Sequence, residues 1–315
     1  MINRVLTYLY NWKHGLYFNK KGYRHSSFPR LLHLELTNSC NLHCLYCPRS
    51  EALKRETGFM TQELFSRIID EGLKNGLNQI HLCMFGEPLL HPEVTYFIKY
   101  AKNSGVPKVG IGTNGVLLRE ELSNKLIEAG LDILHVCLDG AKKETYEELR
   151  QGASYELVSE NIEKLVAVIK KRRIGFPYLH LNIIQSEKTK KEVGIFVRKW
   201  RKTLKGTRHS KCFVKRYTTF AGQTCFLNSE NKPKLFNLRV PCFALENELG
   251  IFWNGNVTAC CYDAGGSLLL GSLDKSTINE IWNSEILNNL RDAHIKGMWQ
   301  EGSLCQRCEN SNKSF

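Results

Sequence analysis

Residues 40–47 read Cys-Asn-Leu-His-Cys-Leu-Tyr-Cys and place Cys40, Cys44 and Cys47 at C-x3-C-x2-C spacing. Three thiolates this close favour iron or zinc, because soft sulfur ligands on a short loop can converge on one metal centre. A closed structural site uses four protein ligands, so a group of three indicates an iron with one position open to a small molecule. The spacing therefore indicates a catalytic iron–sulfur site. A zinc site completed by another ligand such as His43 is the alternative.

The cysteine loop follows a predicted strand. Residues 31–36 alternate side chains with the period of two that is typical of a strand, and the polar stretch Thr37-Asn38-Ser39 comes directly after them. Active sites of α/β barrels lie at the carboxyl ends of the strands. The loop thus occupies the place where a barrel active site is expected.

The region from residue 31 to about 217 alternates short apolar runs with helical periodicity, which predicts βα units around a parallel sheet. The predicted strands lie near 31–37, 79–84, 107–112, 132–138, 178–184 and 212–218. The predicted helices lie near 61–75, 92–104, 119–129, 155–172 and 189–204. A complete (β/α)8 barrel needs about 250 residues. The expected fold class is therefore α/β, with a partial (β/α)6 TIM-like barrel.

Composition places the chain among globular proteins, with 42% hydrophobic and 24% charged residues. No apolar run is long enough for a transmembrane helix, and the N-terminus lacks a signal-peptide pattern. Twelve cysteines without an export signal favour metal ligation in a reducing compartment over disulfides. We therefore expect a cytoplasmic protein.

The net charge is +13, from 44 Lys and Arg against 31 Asp and Glu. An excess of this size favours anionic partners through long-range attraction. Much of it falls in runs within 188–211 beside a predicted helix, where a solvated helix face is the preferred interpretation. Residues 1–30 mix aromatic and basic side chains and are expected to form an N-terminal cap segment. A membrane-surface helix is the alternative for that segment.

The cysteine loop, with the aromatic Tyr46 before its last cysteine, resembles the signature of the radical S-adenosylmethionine (SAM) superfamily. The resemblance implies a [4Fe–4S] cluster whose open iron binds SAM through its amino and carboxylate groups. It also implies an open six-unit barrel whose wide mouth admits a bulky substrate.

Two further strand ends resemble SAM-binding motifs of that family. The second predicted strand runs into Gly86-Glu87-Pro88, which is similar to the family motif that contacts the SAM amino group. The third ends in Thr113-Asn114, at the correct edge of the sheet for a ligand loop, although Asn-Gly is also an ordinary turn.

The fourth and fifth strands complete the expected SAM site. Related enzymes have Ser where Cys137 stands, so Asp139 is only a candidate for contact with the ribose. Arg150 holds the place of the arginine that binds the SAM carboxylate, a task that its planar fork suits. Asn182 either points towards SAM or substrate or is a polar core residue.

The segment 223–315 is expected to hold a linker and a small domain with a β-hairpin that turns at Asn254-Gly255 and a helix from Thr277 to about Ile295, which opens after a Ser-Thr cap. Cys242, Gly255 and Cys260 follow C-x12-G-x4-C spacing, and Cys305 and Cys308 form C-x2-C. Four such cysteines would ordinarily indicate a zinc ribbon. After the barrel of residues 31–222 they resemble the SPASM/twitch extension, which implies one auxiliary [4Fe–4S] cluster.

Five cysteines remain outside these two groups of ligands, and besides Cys83 and Cys137 on the predicted strands they are Cys212, Cys225 and Cys261. Cys261 is an alternative to Cys260, although the spacing from the glycine favours Cys260. Cys212 and Cys225 are interpreted as buried structural cysteines rather than hydrogen-atom donors.

Together the resemblances imply reductive cleavage of SAM to a 5′-deoxyadenosyl radical, hydrogen abstraction from the substrate, and electron transfer to the auxiliary cluster. The compact four-cysteine extension is similar to the 2-deoxy-scyllo-inosamine dehydrogenase family. The first hypothesis is thus oxidation or epimerisation of a sugar, cyclitol or related small metabolite, anionic in view of the charge, with flavodoxin or ferredoxin as reductant. Peptide or protein modification, of thioether or formylglycine type, is the second. A metal-stabilised nucleic-acid-binding protein is the third, and it lacks the motifs of known modules.

Overall fold

The computed structural model describes residues 25–172, 175–224 and 242–308. Most of the N-terminal cap segment, most of the predicted linker, and Cys225 lie outside these residues. The boundaries of the three expected parts therefore stay predictions. Of the helices in the described ranges, none combines the length and apolarity needed to cross a bilayer.

A parallel sheet organises the barrel region, and each of its first five strands is followed by at least one helix. The strands are β1 Leu31–Leu34, β2 Gln79–Leu82, β3 Lys108–Thr113, β4 Ile133–Cys137, β5 Tyr178–Gln185 and β6 Lys211–Arg216. The helices are α1 Gln62–Lys74, α2 Val94–Ser104, α3 Glu120–Glu128, α4 Lys143–Leu149, α5 Tyr155–Arg172 and α6 Val193–Leu204. All five pairings within β1 to β6 are parallel and follow chain order. The predicted partial (β/α)6 barrel is confirmed.

The strands carry apolar side chains on the face that the helices cover. Leu32, Ile80, Leu134 and Leu179 alternate with half-buried neighbours and are themselves at most 1% exposed. Burial of this kind stabilises the sheet–helix contact by about 1.5–3 kcal/mol for each large apolar side chain. The main core thus lies between the sheet and the helices, and the inner face of the barrel is left for other chemistry.

The C-terminal region extends the same sheet. Its elements are α7 Ala244–Asn247, β7 Glu248–Ile251, β8 Asn256–Thr258, β9 Leu269–Ser272, α8 Ile278–Trp282, α9 Glu285–Lys296 and α10 Leu304–Arg307. β7 pairs in parallel with β1, and β8 and β9 follow antiparallel, so the order is β6-β5-β4-β3-β2-β1-β7-β8-β9. The hairpin predicted around Asn254-Gly255 is confirmed as β7–β8. No sequence pattern predicted that this hairpin would join the barrel sheet.

The single helix predicted from Thr277 to about Ile295 is wrong, because the structure has two helices there. Thr277 caps α8 in a reciprocal capping box with Glu280, as the Ser-Thr pair indicated. Ser284 then accepts a hydrogen bond from the Leu287 amide and begins α9. A serine that bonds the backbone in this way competes with continuation of the preceding helix. The short helix α4 was also missed.

A buried ion pair joins the barrel to the C-terminal hairpin. Arg55 binds both carboxylate oxygens of Glu35 at 2.9 Å and lies 3.7 Å from the centre of the Phe252 ring. Its Nε donates to the carbonyl oxygen of Ala264 at 3.0 Å. The Glu35 side chain is fully buried and that of Arg55 is 13% exposed. One residue following β1 is thereby fixed to the segment that carries the C-terminal cysteines.

Replacement of Arg55 by Met is expected to lower the free energy of unfolding by about 3–5 kcal/mol, because the Glu35 carboxylate would remain buried without its counter-charge. Anaerobic thermal unfolding of wild type and variant measures the loss. The control is Lys125→Met, which removes an exposed pair with Glu121 and should leave the midpoint of thermal unfolding nearly unchanged. Equal losses in the two variants would show that the buried pair has no special role.

Candidate functional site

The cysteine loop lies at the carboxyl end of β1, as predicted. Asn38 donates to the Glu56 carbonyl oxygen at 2.8 Å, which fixes the start of the loop. Further along, the amides of His43 and Leu45 donate to the carbonyl oxygens of Gln151 and Leu149, each at 3.0 Å. The loop is thus held at its start by a side-chain hydrogen bond and further along by two backbone hydrogen bonds, so its three cysteines are presented from a fixed backbone.

The three thiols of the loop are half-buried and influence one another electrostatically. Burial raises the pKa of Cys44 to about 11; the Arg150 guanidinium opposes that rise, and Cys47 and Cys40 add to it. Three thiolates so near one another would repel, and iron supplies the compensating positive charge. The donor set therefore fits an iron–sulfur cluster, with Cys40, Cys44 and Cys47 as its ligands.

The end of β2 packs directly under the cysteine loop. Gly86 has φ +99°, and a Cβ there would lie 2.4 Å from the Thr37 carbonyl oxygen and 2.7 Å from that of Ser39. A side chain at this position would collide with backbone that cannot give way. The adjacent Glu87 amide donates to the Ser39 carbonyl oxygen at 2.7 Å. Close approach of β2 to the loop thus accounts for the glycine in Gly86-Glu87-Pro88.

The Glu87 carboxylate connects β2 to β3. It is 1% exposed and accepts hydrogen bonds from the Thr113 hydroxyl at 2.7 Å, the Asn114 amide at 2.7 Å and the Leu89 amide at 3.1 Å. Burial raises its pKa, and the bonds from Asn114 and Thr113 oppose that rise. Pro88 is also buried and begins a short 3-10 turn. Glu87 thereby holds the ends of β2 and β3 beside the cysteine loop. Its contact with the SAM amino group stays a prediction.

Asn114 links Glu87 to the cysteine loop. Its side-chain amide donates to the Asn41 side-chain oxygen at 2.8 Å and lies 4.0 Å from the Cys40 sulfur. Thr113 and Asn114 are both buried, at 5% and 6% exposure. The predicted ligand loop after β3 is therefore in contact with the first cysteine of the cluster site.

A buried polar network lies on the other side of the loop. Asp139 has φ +48° and is fully buried, and it accepts hydrogen bonds from the Tyr46 hydroxyl, from Nε and Nη2 of Arg150, and from the Ile184 amide. The Arg150 Nε and the Ile184 amide nitrogen each lie 3.0 Å from an oxygen of the Asp139 carboxylate. Nη1 of Arg150 lies 3.8 Å from the Cys44 sulfur. Three residues predicted to bind SAM thus form one unit in contact with a cluster ligand.

Asn182 lies next to Cys137 at the end of β4 and β5. It is fully buried, its side-chain oxygen lies 3.3 Å from the Cys137 sulfur, and its Nδ2 has no hydrogen-bond partner among the described residues. A buried donor left without an acceptor costs about 1–3 kcal/mol. Such a donor fits a ligand that supplies the acceptor, and this favours the ligand-facing interpretation of Asn182 over the core one.

The four C-terminal cysteines form a second group of thiols. Burial raises the pKa of Cys242 to about 11, and the neighbouring Cys260 and Cys308 contribute to the rise. Burial raises the pKa of Cys305 to about 12, and Cys260, Cys242 and Cys308 contribute to the rise. The mutual influence of all four fits a cluster with four protein ligands.

The structure distinguishes Cys260 from Cys261. Cys260 belongs to the four-cysteine group, whereas the Cys261 sulfur lies within 4.8 Å of ligand atoms of His33 and Glu248. This placement supports Cys260 as the ligand. Cys212 on β6 is half-buried and lies 3.8 Å from the Val197 carbonyl oxygen, outside both groups.

The sequence interpretation missed a row of four histidines on the inner face of the barrel, one each on β1, β2, β4 and β5: His33, His81, His135 and His180. The available signal was a histidine at an inward position near the middle of each of these strands. Strand register, which sequence alone did not provide, was needed to recognise the row.

Comparison with protein families assigns both cysteine-bearing regions. Residues 34–189 match the model of the radical SAM superfamily, and residues 242–309 match SPASM, an iron–sulfur cluster-binding domain. The two matches include all seven predicted cluster ligands. They agree with the resemblances inferred from the two sets of cysteines.

Among curated relatives, a probable GTP 3′,8-cyclase from Methanococcus aeolicus is 36% identical over 156 residues, 48% of this chain and 51% of that protein. An AdoMet-dependent heme synthase from Methanosarcina barkeri is 33% identical over 166 residues, 52% of this chain and 45% of that protein. The chain spans about half the length of the curated relatives it matches.

Two solved structures share the fold over most of the chain. BtrN in complex with AdoMet and 2-DOIA has a TM-score of 0.56 at 19% identity, covering 85% of this chain and 87% of BtrN. Streptococcus suis SuiB bound to its precursor peptide SuiA has a TM-score of 0.67 at 16% identity, covering 94% of this chain and 72% of SuiB. At these identities the likeness concerns the fold alone.

Proposed function

We propose that this chain, which belongs to the radical SAM superfamily and carries a C-terminal SPASM domain, oxidises or epimerises a sugar, cyclitol or related small metabolite. SAM and iron–sulfur clusters are its cofactors. We assign the barrel to residues 31–222 and the linker and auxiliary-cluster domain to 223–315. The proposal rests chiefly on the presence of two separate thiol groups, of three and of four cysteines, on one continuous sheet: the first follows β1, and the second lies around the adjoining strands β7 and β8.

Cys40, Cys44 and Cys47 would hold the first cluster, and Cys242, Cys260, Cys305 and Cys308 the second. When bound, the first cluster supplies the electron that cleaves SAM to methionine and a 5′-deoxyadenosyl radical, which takes a hydrogen atom from the substrate. The protein's task is to orient SAM and substrate and to exclude competing reactions.

The residues around the loop serve that task in two ways. The guanidinium of Arg150 lies 3.8 Å from the Cys44 sulfur, where its positive charge would stabilise a ligating thiolate and would be available to bind the SAM carboxylate. Because Asp139 holds two nitrogens of the same guanidinium, the side chain keeps one orientation. Asn182 offers its unpartnered Nδ2 at the adjacent strand end.

Peptide modification is the alternative function. The fold is shared with both the 2-DOIA-bound and the peptide-bound structures, so the fold does not choose between the two functions. The short sheet extension with four cysteines supports the small-metabolite proposal, since it provides ligands for one auxiliary cluster.

The test begins with anaerobic reconstitution, measurement of iron and sulfide, and assay of 5′-deoxyadenosine after addition of SAM and dithionite. About eight irons per chain are expected for two [4Fe–4S] clusters. Candidate substrates, namely aminocyclitols, cyclitols, sugars and short cysteine-containing peptides, are then supplied deuterated at carbon. Deuterium in 5′-deoxyadenosine from a peptide alone would favour the alternative function. Zinc in place of iron, with SAM intact, would contradict both.

Replacement of Cys242 by Ala is expected to lower the iron content from about eight to about four per chain while SAM cleavage continues. Net oxidation of the substrate should fall by at least tenfold, because the second thiol group then lacks one ligand. Iron analysis and parallel assays of 5′-deoxyadenosine and oxidised product measure the two effects. Loss of SAM cleavage together with product would contradict separate roles for the two clusters. The control, Cys261→Ala, should retain about eight irons.

A further inference from the structure

The four inward histidines form one continuous row across the barrel. The ring centres of His33 and His81 are 5.7 Å apart, those of His81 and His135 are 5.3 Å apart, and those of His135 and His180 are 4.7 Å apart. Each contact is edge-to-face, with interplanar angles of 70° to 85°. We refer to these four residues as the histidine row.

The row crosses β3 because that strand has glycine at its inward positions. A Cβ at Gly110 would lie 3.1 Å from Cδ2 of His81, and one at Gly112 would lie 2.9 Å from the Cys83 sulfur. Side chains there would fill the space in which the rings from β2 and β4 meet. The two glycines therefore keep this part of the barrel interior free of side chains from β3.

The interior that the row lines is accessible to solvent. The four histidines are half-buried, whereas the alternate residues that point to the helices are fully buried. A row of imidazoles that served only as core would be closed on this face too. The inner face thus bounds a partly exposed space, here called the cavity, and Asn182 adjoins it two residues beyond His180 on β5.

Positive charge enters this cavity from β6. The ring centres of Phe213 and His180 are 6.2 Å apart. The ammonium groups of Lys211 and Lys215 lie 5.8 and 5.7 Å from the Phe213 ring centre, respectively. Among the described residues, neither lysine has a carboxylate within ion-pair distance. Burial and the charges of both lysines are among the causes that lower the pKa of His135 to about 4.

Negative charge is scarce on the same wall. Across strands β1 to β7 the sequence places one carboxylate, Glu248, and it is hydrogen-bonded to His33 at 3.0 Å, at the opposite end of the row from the lysines. At the lysine end the unpartnered groups are donors or neutral rings. Asn182 Nδ2 on β5, close to this end, is buried without a partner among the described residues, and so is His81 Nε2 further along the row on β2. A ligand that suits this end must bring negative charge and hydrogen-bond acceptors.

We propose that the cavity binds the oxyanion of a small polar substrate, a phosphate or a carboxylate, with Lys211 and Lys215 supplying charge and His135, His180 and Asn182 supplying hydrogen bonds. This inference rests on the proposed function, since it names the substrate class of that barrel. Lysine ammonium groups bind phosphate as point charges, and neutral imidazole donates through one ring nitrogen. The neutral body of the substrate would then extend towards the cysteine loop.

The test measures binding rather than turnover. The SAM-saturated holoenzyme is titrated calorimetrically under anaerobic conditions at pH 7 with three probes: myo-inositol, myo-inositol 1-phosphate and glucuronate. At least one anionic probe is expected to bind tenfold or more tightly than myo-inositol. The phosphate and carboxylate probes show which oxyanion the site prefers.

Matched variants show whether Lys215 produces the preference for the anionic probe. Lys215→Gln should reduce the preference for the anionic probe at least fivefold, and Lys215→Arg should keep it. The control Lys164→Gln, which alters an exposed pair with Glu160 on the outer face of α5, should leave it unchanged. Iron content and circular dichroism establish that each variant is folded.

Two results would overturn the oxyanion site: equal or absent binding of all three probes, or full preference for the anion in Lys215→Gln. Wild-type assays of 5′-deoxyadenosine distinguish this failure from failure of the proposed function. SAM cleavage without anion preference leaves the radical chemistry standing and removes the oxyanion site. Anion preference without SAM cleavage does the reverse.

Discussion

Replacement of Cys44 by Ala is expected to abolish SAM cleavage, with 5′-deoxyadenosine falling at least a hundredfold. Cys44 is one of three ligands on a loop that offers no other cysteine, so its loss leaves the first cluster with two protein ligands. The iron content should fall from about eight to about four per chain, the amount that the C-terminal cysteines hold. Anaerobic iron analysis and chromatographic assay of 5′-deoxyadenosine measure both effects.

The matched control is Cys212→Ala. Cys212 is also half-buried, but it lies on β6 outside both thiol groups, so about eight irons and wild-type cleavage of SAM are expected. Wild-type SAM cleavage in Cys44→Ala protein would refute the proposed mechanism.

Replacement of Arg150 by Met is expected to lower the free energy of unfolding by about 3–5 kcal/mol and to weaken SAM binding at least tenfold. The Asp139 side chain is fully buried, and removal of the guanidinium leaves its charge with hydrogen bonds from Tyr46 and Ile184 alone. The same change removes the positive charge beside the Cys44 sulfur. Anaerobic thermal unfolding and equilibrium dialysis of SAM measure the two losses separately.

A double variant separates the structural effect from the effect on SAM. Arg150→Met with Asp139→Asn removes both charges, and part of the lost stability should return because no unpaired carboxylate remains. SAM affinity should stay low. Recovery of SAM binding in the double variant would mean that Arg150 acts only by neutralising Asp139. Tyr46→Phe, which keeps the ion pair, should cost only about 1–2 kcal/mol.

The strands of the barrel were predictable because each has a strong local pattern. β5, for example, was expected near 178–184 and spans Tyr178–Gln185. Errors occurred where a local pattern was weak or interrupted. The helix α4 has only seven residues, too few for a clear helical period. The break between α8 and α9 depends on one hydrogen bond, which the Ser284 side chain accepts from the Leu287 amide.

The cysteines that we propose as cluster ligands could be recognised for a similar reason. The spacing of Cys40, Cys44 and Cys47 restricts how far apart three sulfur atoms can be, whatever the remainder of the chain does. The same holds for the C-x2-C pair of Cys305 and Cys308. Ligand identity at such sites is a property of short segments, and the matched family models cover both of them.

The sequence by itself determined the spacing of the cysteines, the order of βα units and the choice of Glu87, Arg150 and Asn182 as candidate site residues. Only the tertiary structure decided which groups those side chains meet. Tyr46 bonds Asp139 across 93 residues, and β7 lies beside β1 although the chain separates them by the whole barrel. Strand register sets such partners, and register depends on packing summed over the whole sheet. Local spacing fixes which atoms can bind a metal, whereas only the assembled sheet fixes the charge and shape of the cavity beside it.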